Sequence, residues 1–250
     1  MQTRHRPPLK PMRLRGMKWV LITALLILLP ASPADADFKS GMAAYRRGDY
    51  ARAHKEFTRL AARGNPAALR MLGDMYESGA GVPRNYAEAF KRYAEAAARG
   101  DLHARFMVAQ FYYEGKAGPK DYGEAARWYR KAAEGGHRDA RHNLGVMYEH
   151  GRGVPKNDVE AIKWFRMAAE QGVEESRLKL GYRYMKGGGV VQDDIQAYLW
   201  LDLAASSGNG EARNALETLS RRMTPEDIAR ARQLALKRKP GSAKGLPPGR

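Results

Sequence analysis

The stretch GRGVPKND, Gly151 to Asp158, holds the residue types from which phosphate-cradling loops are built: two glycines, a lysine and an acidic residue. In such a loop, glycine lets main-chain N–H groups close on the phosphate while a lysine offsets its charge. The other groups with chemistry in them are the histidine cluster His137, His142 and His150, and the evenly spaced acids Glu88, Glu124 and Glu160. A catalytic centre needs such groups to converge at positions that do not repeat. His142 and His150 would lie about 12 Å apart on one helix, too far for one metal ion, and neither has an acid or cysteine four residues away. The chain has no cysteine, which removes disulfides, thiol nucleophiles, thiolate metal sites and a lipidated cysteine terminus. No catalytic residue, metal or cofactor is expected.

The elements that position these residues come from a repeat. Tyr76, Tyr112, Tyr148 and Tyr184 are 36 residues apart, as are Leu72, Val108, Leu144 and Leu180, and the small residues Gly73, Ala109, Gly145 and Gly181. Gly151 recurs as Gly79, Gly115 and Gly187, but Lys156 is kept only as Lys120 and is Arg84 and Gln192 in the first and fourth copies. A phosphate site would not tolerate that variation, and no strand precedes the loop as a phosphate loop requires. The loop is therefore read as a turn, and Lys156 as a surface residue.

Its residue types say how it turns. Ala140, Leu144 and Tyr148 form a helical stripe that stops at Gly151, the left-handed position where a side chain is penalised. Pro155 blocks early resumption of the helix, Asn157 is an N-cap, and Glu160 three residues on predicts a capping box. The same pair recurs as Asn85/Glu88, Asp121/Glu124 and Asp193/Gln196. The second helix carries Ala161, Trp164, Phe165, Ala168 and Ala169 and stops at Gly172. Each unit is then an antiparallel helix pair whose small residue at 73, 109, 145 or 181 allows close approach. Trp128, Trp164 and Trp200 are expected to pack between units as core, since aromatic stripes at helical spacing are a packing signature.

The pattern Leu-Gly-x-x-Tyr, Gly-x-Gly-Val, Ala-x-x-Trp-Phe/Tyr-x-x-Ala-Ala, Gly resembles the Sel-one-like repeat, a relative of the tetratricopeptide repeat. The resemblance covers residues 66–209 in four copies (66–101, 102–137, 138–173 and 174–209), departing from the pattern at Arg92, where the others have tryptophan, and at Ala109. The fold it implies is all-α: a right-handed solenoid of antiparallel helix pairs in 36-residue repeats, a tetratricopeptide-like superhelix. Residues 37–65 read as a shorter N-terminal pair of plain tetratricopeptide type. Residues 210–238 read as two capping helices with Thr224 as an N-cap and Pro225 at the first helical position, and 239–250 as a disordered tail.

The first 36 residues differ from the rest. Six Lys/Arg lead into the uncharged run Trp19 to Leu29, followed by Pro30 and small residues at Ala34 and Ala36. That order predicts a secretory signal peptide over 1–36, cleaved after Ala36, with translation starting at Met1 or Met17. The alternative is an uncleaved anchor at 19–29, although a span needs about 20 apolar residues. The chain's net charge is +17. Removing residues 1–36, with six cations and Asp35, leaves 17 − 5 = +12. Outside the cytoplasm that charge points to anionic envelope polymers or acidic partners rather than nucleic acid.

A stacked solenoid presents a concave face lined by the first helix of each pair. By analogy with tetratricopeptide repeats its exposed positions are Arg70, Met71, Asp74 and Glu77; Phe106, Met107, Gln110 and Tyr113; His142, Asn143, Val146 and Glu149; and Leu178, Lys179, Tyr182 and Met185. Methionines and aromatics there suit adaptable peptide recognition, with Arg70 and Lys179 meeting the ends of a bound segment. The competing expectation is that capping segments or a second copy cover this groove. The resemblance implies a non-enzymatic adaptor for a protein or extended peptide; relatives include periplasmic regulators of sensor kinases and organelle-lumen adaptors. The chain ends PPGR rather than in a retention tetrapeptide, so a bacterial periplasm is the expected compartment. A different reading is an envelope enzyme acting on penicillin-like compounds, as some cysteine-rich relatives are credited with doing; their disulfide frame is absent here.

Overall fold

The computed structural model of the chain describes residues 33–238. The expected signal peptide before residue 33 and the tail 239–250 lie outside the described residues. Helix α1 (Pro33–Arg46) already contains the expected cleavage point between Ala36 and Asp37. It pairs with α2 (Tyr50–Ala62) across a three-residue turn.

The four 36-residue units follow as α3 (Pro66–Ser78) with α4 (Tyr86–Ala98), α5 (Leu102–Glu114) with α6 (Tyr122–Glu134), α7 (Arg138–His150) with α8 (Asp158–Glu170), and α9 (Glu174–Lys186) with α10 (Asp194–Ala205). Then come α11 (Gly210–Ser220) and α12 (Pro225–Arg238); α12 turns back onto α10. No strand occurs among the described residues. From α1 to α11 each helix packs on the next along the chain, so the fold is a row of helix pairs whose core runs from unit to unit.

Local sequence explains why each helix starts and stops where it does. Asn85, Asp121, Asn157 and Asp193 are N-caps, each side chain accepting from the main-chain N–H three residues on. The reciprocal half of the capping box does not form. The cap residue's own N–H donates instead to a tyrosine carbonyl of the first helix: Asn85 to Tyr76, Asp121 to Tyr112, Asn157 to Tyr148, and Asp193 to Tyr184, at 2.8–3.0 Å. That bond ties the start of the second helix to the end of the first. It leaves Glu88, Glu124 and Glu160 to pair with Arg92, Arg127 and Lys163 on their own helices.

The repeated tyrosine is thus used through its backbone as well as its ring. The small residue of the first helix serves close approach: a Cβ at Gly73 or Gly145 would stand 2.5 or 2.7 Å from the ring of Tyr93 or Phe165. Trp164 and Trp200 are buried in the inter-unit core, while Trp128 is half-buried against it.

The GRGVPKND loop has two glycines with different work. Gly151 (φ 66°) ends α7, its N–H donating to the Met147 carbonyl. Gly153 (φ 68°) lies against the start of α6 in the preceding unit, where a Cβ would be 1.9 Å from the Tyr122 carbonyl oxygen. Gly81 and Gly189 meet Tyr50 of α2 and Asp158 of α8 in the same way. The loop turns the chain, and it also docks on the unit before it. Lys156 is exposed beside this contact.

Candidate functional site

Successive first helices stand side by side and exchange side chains. Lys116, just beyond α5, reaches Glu77 on α3; His142 on α7 meets Ser176 on α9; Lys179 and Arg183 on α9 reach Glu149 on α7. The face they form carries two ion networks.

The first centres on Tyr93, whose hydroxyl lies 2.7 Å from Asp74 and 2.8 Å from Glu77. Arg70 lies 3.3 Å from Asp74 and 3.4 Å from Asp101, and Lys116 lies 2.9 Å from Glu77 and 2.8 Å from Glu114. Burial pushes the Asp74 carboxyl above the ordinary carboxylate range against the pull of Tyr93 and Arg70, and burial with the flanking carboxylates drives the Tyr93 phenol far upward. A phenol has one proton, so a raised Asp74 carboxyl fits a site where two carboxylates share one hydroxyl.

The second network is the Glu149 carboxylate between Lys179 (2.7 Å) and Arg183 (2.6 Å). Burial would raise the Glu149 carboxyl, but the two cations outweigh it and hold the group below its ordinary value of 4.5. Its stabilising contribution is therefore present above the unfolded-state value and is lost as pH falls through the lower folded-state value. Glu149→Gln is expected to cost ~1.5–3 kcal/mol at neutral pH, the range for hydrogen bonds to charged groups. The gap between variant and parent should close as the medium is acidified below the ordinary carboxylate range; denaturant unfolding at stepped pH values checks it.

Between these networks lies a cleft lined mostly by uncharged side chains, with Glu114 at its rim and the Arg152 guanidinium donating to the Tyr113 hydroxyl. Gln110, Tyr113, Glu114, Tyr129, Asn143 and Val146 line this cleft of about 140 Å³. Gln110, Tyr113, Asn143 and Val146 belong to the expected groove, and the fold does bring them together. Tyr129 and Glu114 were not foreseen. Tyr129 comes from the second helix α6, almost fully buried, with its hydroxyl on Asn143; burial raises its phenol pKa. The signal available was the column Tyr93, Tyr129, Phe165, Leu201, in which only the first two units carry a hydroxyl.

Several expected groove residues are placed otherwise. Met71 and Phe106 are buried, Phe106 stacked on His137 at 4.5 Å, because at these positions the first helix faces its neighbour rather than the open side. His142 is half-buried, its Nδ1 2.8 Å from Ser176 Oγ and its ring against Phe165. Arg70 and Lys179 are not free cations for a ligand's ends, since both are committed to the ion pairs above. Met107 is half-buried between two core clusters. Leu178, Tyr182 and Met185 pack in the cluster that holds Leu216 of α11, Met223 of the following turn and Ile228 of α12, so the capping segment does cover the fourth unit's share of the groove.

The histidines have structural work. His137 is the N-cap of α7, its Nδ1 accepting from the Ala140 N–H, and its Nε2 lies 3.2 Å from Nδ1 of His103. Burial and the neighbouring His103 lower the His137 pKa. The His103–His137 pair was hidden because its members are 34 residues apart in sequence. Among the described residues no group of three or more His, Cys, Asp or Glu could hold a metal ion, and no helix is long and apolar enough to cross a membrane.

Comparison with known proteins gives a consistent family. The profile of the Sel1 repeat matches residues 66–101, 102–137, 138–173 and 175–209. Among solved structures, the chain is similar to a Sel1 repeat protein from Oxalobacter formigenes, with 30% identity and a TM-score of 0.70, covering 82% of this chain and 87% of that one. It is also similar to a protective antigen of uropathogenic Escherichia coli displaying an SLR fold, with 33% identity and a TM-score of 0.73, covering 80% of this chain and 44% of that one. The chain therefore spans less than half of that antigen's length. A search of curated proteins found no match. With four profile matches laid end to end along its helix pairs, the chain belongs to the Sel1 repeat family.

Proposed function

We propose that the chain is an exported, non-enzymatic adaptor that binds an extended segment of a protein partner on the first-helix face, with Gln110, Tyr113, Tyr129 and Asn143 as the recognition residues. The observation that carries this reading is the cleft of amides and phenols set between two networks of paired side-chain ions. Side-chain amides donate and accept at once, which matches the alternating N–H and C=O groups of a peptide main chain. Gln110 spends its amide on no partner among the described residues. Tyrosines beside it supply large contact area at low entropic cost. The helical-repeat scaffold of the family fits protein–protein binding.

Export rests on the leader's charge and apolar run, and N-terminal sequencing of the expressed protein is expected to find Asp37 first; a chain retained in the membrane from Met1 or Met17 would overturn it. Binding of anionic envelope polymers is the weaker reading, because Arg70, Lys116, Lys179 and Arg183 on this face are already paired with acids. The double variant Gln110→Ala/Asn143→Ala is expected to keep its melting temperature and to lose partner affinity by ~10-fold or more, one hot spot's worth. Normal capture by the folded double variant would remove the cleft from the function. Capture that collapses with salt in variant and parent alike would favour the polymer reading, and turnover of a chromogenic β-lactam would favour an enzyme.

A further inference from the structure

Three units carry tryptophan at one position of the second helix, Trp128, Trp164 and Trp200; the first unit has Arg92 there. Trp128 packs in a cluster with Phe90, Ala94, Ala97, Val108 and Tyr112. Trp164 lies in one core cluster with Ala126, Ala133, Leu144 and Tyr148, the residues 36 positions further on. The residues 36 positions earlier than Trp128's surroundings are His54, Thr58, Ala61, Leu72 and Tyr76. They enclose no tryptophan. With Leu69, Arg92 and Glu95 they line an open cleft of about 320 Å³ between α2 and α4. A cavity of about 150 Å³ already holds a benzene ring, so the vacated slot has room for an aromatic side chain.

The slot differs from its filled counterparts in polarity as well as volume. Arg92 brings a guanidinium whose Nε is buried with no hydrogen-bond partner, and its terminal nitrogens stand 3.6 Å from the Glu88 and Glu95 carboxylates. A buried donor left unpaired is costly, and groups of this kind invite an acceptor. Where later units have Trp128's neighbour Lys131, and then Met167 and Leu203, this slot has Glu95, a carboxylate acceptor. The floor is apolar. Leu69 replaces Arg105, Arg141 and Arg177, each of which donates to a carbonyl of the preceding second helix.

An occupant must therefore offer a flat apolar ring, one acceptor for Arg92 and one donor for Glu95. An indole has a donor only, a phenyl ring neither, and a phenol both. We propose that the slot between α2 and α4 is a binding site for a tyrosine side chain presented by a partner segment, seated where the later units seat their own tryptophan. It lies between second helices and is separate from the cleft on the first-helix face.

The test is an NMR titration of the full chain with N-acetyl-L-tyrosinamide. Saturable shifts are expected at His54, Tyr76 and Glu95, with N-acetyl-L-phenylalaninamide at least ~10-fold weaker, about 1.4 kcal/mol. Arg92→Trp fills the slot with the residue the other units use; it should raise the thermal midpoint and abolish the shifts. Arg92→Met keeps the space and removes the donor, and should bring the tyrosine amide down to the affinity of the phenylalanine amide. The proposal fails if the parent chain shows no saturable shifts at these residues or binds the two amides equally. It fails also if folded Arg92→Trp binds the tyrosine amide like the parent.

Discussion

Gly153→Ala is expected to lower the free energy of unfolding by about 3 kcal/mol or more, the largest effect of any methyl group added to this loop. Two costs combine. The left-handed backbone at φ 68° disfavours a side chain, at about 1–2 kcal/mol. The new Cβ would also sit 1.9 Å from the Tyr122 carbonyl oxygen and 2.8 Å from the Gly123 nitrogen, backbone atoms that cannot swing away, and forced overpacking adds about 1–3 kcal/mol. Gly151→Ala separates the two costs. Its φ is nearly the same, but its nearest neighbours, the Lys156 Cβ at 3.3 Å and main-chain N at 3.4 Å, need give only a few tenths of an ångström, so about 1–2 kcal/mol is expected. Lys156→Ala, in the same loop, should shift stability by less than about 0.5 kcal/mol, as exposed positions do. Equilibrium denaturation of the three variants checks the order. Equal losses at Gly151 and Gly153 would mean that the loop is only a turn, and a measurable nucleotide affinity that Lys156→Ala abolishes would restore the phosphate reading.

Trp164→Ala is expected to cost about 3–5 kcal/mol, the range for large aromatic truncations in a core. Trp164 is 6% exposed and shares its cluster with residues of the preceding unit as well as its own. Its Nε1 is buried without a hydrogen-bond partner, so the loss is one of packing and cavity alone, and Trp164→Phe should recover most of it. Chemical unfolding measures both. A loss below about 1 kcal/mol would be that of a surface residue and would place the indole outside the inter-unit core.

The fold was legible because the repeat supplies four readings of every position. One copy of GRGVPKND looks like a phosphate loop, whereas Arg84 and Gln192 in place of the lysine expose it as a turn. The helix stops and the second-helix N-caps followed from local chemistry: the left-handed glycines and the cap bonds of Asn85, Asp121, Asn157 and Asp193 are where they were expected. The capping box failed at its reciprocal bond, since the cap N–H already serves a tyrosine carbonyl some nine residues back, a partner that no local motif announces.

The site was half legible. Helical register put Gln110, Tyr113, Asn143 and Val146 on one face, but register cannot tell which members of a face meet the neighbouring helix, and Met71 and Phe106 went inward for that reason. Nor does it show that Arg70 and Lys179 find acids on adjoining helices. Tyr129 was missed because it enters the cleft from the other helix of its pair.

The seat that three of the four loops find on the unit before them gives the chain a direction of assembly. Gly81 rests on α2, Gly153 on α6 and Gly189 on α8, always toward the N-terminus. A ribosome delivers those supports first, so a newly emerged unit can close on a surface that already exists, with only local loops to order. Removing units from the C-terminal end leaves every remaining loop its support; removing α1 and α2 leaves the Gly81 loop hanging over nothing. Nested deletions from the two ends should therefore be unequal in soluble yield at matched length, with the N-terminal series failing first.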